Sequence, residues 1–456
     1  MKFTKFGKAL LISALSACTI FGVTSCVESY AVGYLYVTGT VTAQSSGAGI
    51  ISGFSIDHNT GKLTAIHGLP IASGGANPER AVLIVGSRFL YVLNRGVNAS
   101  GSADCTSTDP CQNSNITQFA VGANGILTPQ ETFYTQGLNP FRLVSDSSGS
   151  FLYALDHDSI GKDGQTPSSA TNPNTNCALS LGAGVNTCGD ITAFKIDSTT
   201  GRLSLMVNAQ VTSANGTALP YFPIPANPVD FVLTGGYIYT MNGTAPTSYP
   251  YSGGSTVFPY TLNGANGQLT VTQTASQPLN ILQGTSIVSG SGYIYVMDNE
   301  PITVNGITSP SQILPFQAGT NGSLQAQVSG SVADDPTQSN PLAMLVESKG
   351  KWIYVANQGN NTNNTNAQSG IMGYVIDPST HVLSPIAGGP FGSGAGPQCL
   401  VEDPSDQFVY TANFNDSTVT GRLIDQNNGT LKDLNAPTST ALTGPATWCL
   451  MDGRTN

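Results

Sequence analysis

Trp352-Ile353-Tyr354-Val355 is the segment that decides the fold of this chain, because its pattern occurs seven times. The other copies are Tyr34-Leu35-Tyr36-Val37, Phe89-Leu90-Tyr91-Val92, Phe151-Leu152-Tyr153-Ala154, Tyr237-Ile238-Tyr239-Thr240, Tyr293-Ile294-Tyr295-Val296 and Phe408-Val409-Tyr410-Thr411. Short runs of aromatic and β-branched residues read as strands. Their starts lie 55, 62, 86, 56, 59 and 56 residues apart, and a fixed period of that size is the mark of a repeat architecture. The extra length in the third interval reads as an inserted loop.

Working outward, each copy is followed by a second short strand, as at residues 51–57, 191–197 and 371–377, and then by a tight turn into a third. The turn reads Asn-Thr-Gly61, Ala-Asn-Gly125, Thr-Thr-Gly201, Ala-Asn-Gly267, Thr-Asn-Gly322, Ser-Thr-His381 and Asn-Asn-Gly429. Gly at that place implies a positive φ, and His381 in the same slot reads as a turn residue, His being one of the side chains enriched there. A fourth strand precedes each copy and opens at Asn77-Pro78, Asn139-Pro140, Asn227-Pro228, Gln277-Pro278, Asn340-Pro341, Gly396-Pro397 or Gly444-Pro445. Pro suits a strand's first residue. Tyr34 has no such strand before it, and residues 444–452 have no Tyr strand after them. The predicted fold is therefore an all-β, seven-bladed β-propeller of four-stranded antiparallel blades, closed by the C-terminal strand in the N-terminal blade.

Composition agrees. Of 456 residues 39% are hydrophobic and only 9% are charged, with 52 Gly and 27 Pro, which excludes coiled coils and long solvated helices. A net charge of -10 excludes a reader of phosphate backbones, so no nucleic-acid partner is expected.

Lys2, Lys5 and Lys8 precede an apolar run at residues 9–23 and then Val23-Thr24-Ser25-Cys26. This is the pattern of a bacterial lipoprotein signal, with residues 1–26 as leader and lipid on Cys26. Leu15-Ser16-Ala17-Cys18 is the second candidate site. The expectation is one propeller domain over residues 27–456, an exported monomer held to the membrane only by its lipid, in the periplasm or at the cell surface. Six further cysteines suit an oxidising compartment. Cys105 with Cys111 and Cys177 with Cys188 read as local loop staples. Cys399 and Cys449 share strand parity, counted from Pro397 and Pro445, and read either as a bridge or as two buried thiols. No paired Cys/His spacing suggests zinc, and no metal or cofactor is expected.

The Gly/Asn-Pro, aromatic-Leu-Tyr-Val-x-Asn and Thr-Gly-x-Leu elements over residues 31–456 resemble the lactonase-family seven-bladed propellers of 6-phosphogluconolactonase type, relatives of the YVTN-repeat propellers. The resemblance implies an Arg-His pair at the start of one inner strand and a Glu after the Tyr strand of that blade. Here Leu279-Asn280 follows Gln277-Pro278 where the pair is expected, and Asp298-Asn299-Glu300 supplies the Glu.

Inner-strand starts and the loops after Tyr strands converge at one end of a propeller's channel. That places Glu79, Arg80, Arg142, Asp156, His157, Asp158, Asp230, Asn280, Asp298, Glu300 and Gln398 there. Glu300 and His157 are the catalytic candidates, as bases for water. Arg80, Arg142, Asp230, Asn280 and Asp298 are the binding candidates for a lactone or carbohydrate-like molecule. Adjacent strand residues point to opposite faces, so Asp156 and Asp158 should not both reach His157. Two readings result: a hydrolase of a sugar-like or other lactone, or a non-catalytic ligand- or protein-binding propeller of the cell envelope.

Overall fold

The computed structural model describes residues 30–41, 47–84, 86, 88–243, 254–271, 279, 281–319, 321–326, 330–359 and 369–452. The leader, Cys26, Gln277-Pro278 and Asn280 lie outside them. Seven antiparallel sheets form the blades, each ordered inner strand, Tyr strand, third strand, outer strand. In blade 1 the inner strand is Ala446–Met451, paired with Ala31–Thr40 from the other end of the chain (Cys449 opposite Val37), so the ring closes as the orphan strands predicted. The inner strands of blades 2 to 7 are Pro78–Leu83, Leu138–Ser145, Pro228–Thr234, Gly284–Gly290, Pro341–Val346 and Pro397–Glu402. In blades 1, 3, 5 and 7 a further short strand pairs with the third strand beyond the outer one.

The recurring residues recognise one another across blade junctions. Each turn Gly has φ between 69° and 76°, and His381 takes 56°. A second constraint acts there: the aromatic that opens the Tyr strand of the preceding blade packs where a Cβ would stand. A Cβ at Gly429 would lie 2.7 Å from the Trp352 ring, and one at Gly61 would lie 2.7 Å from Phe408. At His381 the partner, Tyr293, stacks on the imidazole with ring centroids 3.9 Å apart. The buried blade tyrosines add a bond. Tyr36, Tyr91, Tyr153, Tyr354 and Tyr410 donate to the carbonyls of Gly125, Gly201, Gly267, Gly429 and Gly61, always in the next blade.

The residue before Pro has its own reason. Asn77, Asn139, Asn227, Asn340 and Gly396 have φ of 49° to 69°, a region open to Gly and tolerated by Asn. Blade 5 departs from the expected pattern: its inner strand starts at Gly284, opposite Asp298, and not at Gln277-Pro278. Gly284 fits because a Cβ there would press on the Met241 sulfur at 2.5 Å.

Three disulfides join Cys105 to Cys111, Cys177 to Cys188 and Cys399 to Cys449, with Cα separations of 5.2, 5.8 and 5.8 Å. The parity argument for the last pair is corrected by the register. Cys399 stands opposite Ala412, a place equivalent to Trp448, and Cys449 is one step further along. Neighbouring blades meet through opposite sheet faces, so side chains of opposite parity approach each other. The insert in blade 3 holds the helix Thr175–Leu181, capped by Asn174, with Cys177 on its buried face.

Candidate functional site

The register slips after the first residue of the inner strands, between Pro78 and Arg80, Pro228 and Asp230, Gly284 and Ser286, Pro341 and Ala343, and Pro397 and Cys399. These bulges re-aim the next side chain. Equivalent positions around the ring are Arg80, Arg142, Asp230, Ser286, Ala343, Cys399 and Trp448. Two residues further along, opposite each blade tyrosine, stand Val82, Val144, Val232, Val288, Leu345, Val401 and Leu450. Arg80, Arg142, Asp230, Ser286 and Trp448 line a central cavity of about 370 Å³ that continues along the aliphatic ring to Ser145 and Ser289. That volume suits a small molecule.

Arg142 is neutralised. Its Nε donates to Asp230 Oδ1 at 2.9 Å, and its Nη1 lies 3.8 Å from Glu79 Oε1. Asp230 is fully engaged: Oδ1 also accepts from Phe231 N and Oδ2 from Ile287 N, each at 3.0 Å. Arg80 differs. Its guanidinium carbon lies 3.6 Å from the Trp448 ring centroid, and its hydrogen bond is a 3.4 Å contact to the Glu79 carbonyl. Burial, with Arg142 beside it, lowers the Arg80 pKa to about 9, so it stays cationic at neutral pH. Among the described residues no carboxylate forms an ion pair with Arg80.

The remaining candidates serve the wall. Asp156 and Asp298 occupy the sixth place of their Tyr strands, the slot filled by Asn94, Asn242, Asn357 and Asn413 in other blades. Asn94 and Asn242 use it to donate to Ser73 O and to Pro225 O and Ala226 O. Asp298 accepts from Leu282 N, Gln283 N, Glu300 N and Gln312 Nε2. Glu300 accepts from Gln283 Nε2 at 3.0 Å and is not part of the cavity lining. Gln398 reaches back to the Gly396 carbonyl at 3.5 Å. With the inner strand starting at Gly284, the two residues that follow its first position are Thr285 and Ser286, not Leu279-Asn280.

His157 Nδ1 lies 3.1 Å from Asp158 Oδ2. Burial works against the Asp158 charge, but His157, Asn139 and Ser107 together hold its pKa below the ordinary value. Asp156 packs instead beside Asp190 and Thr192, so one acid of the two reaches His157, its sequence neighbour Asp158. Both carboxyls of that pair are buried, and burial raises both pKa values. Asp190 and Trp448 were invisible to sequence reasoning: only cross-strand pairing brings the first beside Asp156, and only ring closure brings the second beside Arg80. Among the described residues no group of three or more His, Cys, Asp or Glu side chains is arranged to hold a metal ion.

The fold has solved relatives. The periplasmic gluconolactonase PpgL of Pseudomonas aeruginosa is 16% identical, with a TM-score of 0.60 over 93% of this chain and 99% of that one. Candidate 6-phosphogluconolactonases from Bacteroides uniformis and Bacteroides fragilis are 13% and 15% identical. Their TM-scores are 0.60 and 0.58, over 92% and 94% of this chain and 99% of each of theirs. Identity that low carries the fold alone. Among curated proteins none matches the sequence. The family described as lactonase, 7-bladed beta-propeller matches residues 35–161 and 310–447, more than half of the chain. With seven closed blades and that match, the chain belongs to the lactonase family of seven-bladed β-propellers.

Proposed function

We propose that the central cavity is the ligand site of a lactone hydrolase and that Arg80 binds the carbonyl oxygen of the lactone, or the carboxylate of the hydroxy acid it opens to. The observation that supports this reading is the contrast between two neighbouring cations. Arg142 is spent on Asp230 and Glu79, whereas Arg80 keeps most of its N–H donors. A guanidinium in a confined site stabilises the oxyanion that forms as water attacks a carbonyl. Glu79, which like Glu300 stands outside the cavity lining but lies 3.8 Å from Arg142, is the carboxylate we assign to take the water's proton, because the Asp230 oxygens already accept three N–H donors. The ring oxygen then leaves with a proton as the hydroxyl of the product. Glu300, the base expected from the family pattern, is the alternative.

The competing reading is a propeller that binds the same molecules without turning them over. It is favoured by the engagement of Asp230 and by the position of Glu300 outside the cavity lining. A panel of lactones followed in a pH-stat, with product binding measured calorimetrically, separates the two. Hydrolysis that Glu79→Gln abolishes and Glu300→Gln spares supports the first. Binding of hydroxy acids without turnover of any lactone supports the second.

We read the chain as an exported lipoprotein with Cys26 as the lipid-bearing residue, and the three disulfides support an oxidising compartment. Cys26→Ser should move it from the membrane fraction to the soluble one. Retention in the membrane would refute the lipid.

A further inference from the structure

We propose that the natural ligand carries an apolar arm: a lactone or hydroxy acid whose head sits at Arg80 while an alkyl segment runs along the channel. The inference rests on Arg80 as the head-group site and adds the class of molecule that fits the rest of the cavity.

The argument is the change in wall chemistry over two residues of inner strand. At the level of Arg80 the cavity wall offers two guanidiniums, a carboxylate, a hydroxyl and an indole. Two residues on, roughly 7 Å along the axis, the lining is Val82, Val144, Val232, Val288 and Leu345. The two blades that complete this level also supply aliphatic residues, so no side chain in the ring offers a hydrogen bond. Hydrogen bonds at this level come only from the unpaired backbone edges of the inner strands, which are fixed in place, so a sugar acid with a hydroxyl on every carbon would set some of them against aliphatic side chains, at a free-energy cost for each one left unpaired. An alkyl segment meets no such cost. Its burial against the aliphatic side chains favours binding. Serines return further along, at Ser145 and Ser289.

The test is calorimetric titration of the purified protein with butanoate, hexanoate and octanoate, and in parallel with gluconate. Affinity should tighten about fourfold per added methylene. Arg80→Gln should weaken every member by about tenfold or more without changing that slope. Val144→Thr with Val288→Thr keeps the β-branched shape and should flatten the slope while leaving the shortest acid unchanged. A chain-length series that binds with no slope, or a slope indifferent to the paired Thr substitution, overturns the arm. Gluconate binding that is weakened by Arg80→Gln, alongside a flat alkyl series, overturns the arm and leaves the head-group reading standing. If no carboxylate of either kind binds, both fall together.

Discussion

At the junction of blades 6 and 7 the Tyr354 hydroxyl donates to the Gly429 carbonyl at 2.8 Å, whereas at the junction of blades 4 and 5 the equally buried Tyr239 hydroxyl finds no acceptor among the described residues. Tyr295, at the next junction, is in the same position, and there the turn residue is His381. Yet the opening aromatic packs on the turn at both kinds of junction, Trp352 on Gly429 and Tyr237 on Gly322. Ring packing is thus the common element, and the hydroxyl bond is an addition that five junctions make and two do not. The junction of blades 7 and 1 has a third tie, the Cys399–Cys449 bridge.

These differences can be broken one tie at a time. The largest effect should come from the closing junction: replacing Cys399 and Cys449 together by Ala should cost about 2 to 4 kcal/mol in urea unfolding. The bridge spans 50 residues, whereas Cys105–Cys111 spans six and should matter less. Gly429→Ala comes next, at about 2 kcal/mol, because it meets both the positive φ and the Trp352 ring. His381→Gly should change stability by less than about 0.5 kcal/mol, since relief of the backbone offsets the lost stacking. Equal costs at 381 and 429 would sink the idea that the two turns are held differently. Tyr354→Phe and Tyr410→Phe should each cost about 1 kcal/mol, while Tyr239→Phe and Tyr295→Phe should cost nothing or stabilise. Four equal losses would mean that all the hydroxyls are bonded alike.

A separate, pH-dependent effect lies in blade 3. With the Asp156 pKa raised to about 7 by burial beside Asp190, the folded state holds more protons than the unfolded one from about pH 4 upward. The pair's contribution is therefore full below that range and declines as pH rises through 7, with Asp190, raised in the same direction, adding to the decline. Asp190→Asn should make this decline shallower in melting curves taken from pH 4 to 8. An unchanged slope would show that the pair is not its source.

The ring was legible in the sequence because each recurring residue answers a local backbone demand: Gly for positive φ at the turn, Asn or Gly before Pro, and Tyr for a buried strand. Arg80, Arg142 and Asp230 could be placed because each stands two residues after an inner-strand Pro. Where the Pro signal misled, as at Gln277-Pro278, the count went with it, and Ser286 was passed over. Trp448 was missed for a different reason: its neighbour in the sheet, Thr38, is 410 positions away in the chain. Asp298 looked like a ligand because an acid at a channel end invites that reading. Only the pairing shows that it fills an Asn slot used to hold backbone.

The direction of Ala31–Thr40 bears on how the molecule would be presented. Thr40 ends beside Pro445, at the end of the barrel where the inner strands begin, so Ala31 enters at the opposite rim. A leash leaving from that rim would hold the protein like a cup on a stem, with the arginine end turned away from the anchoring surface and toward whatever diffuses past.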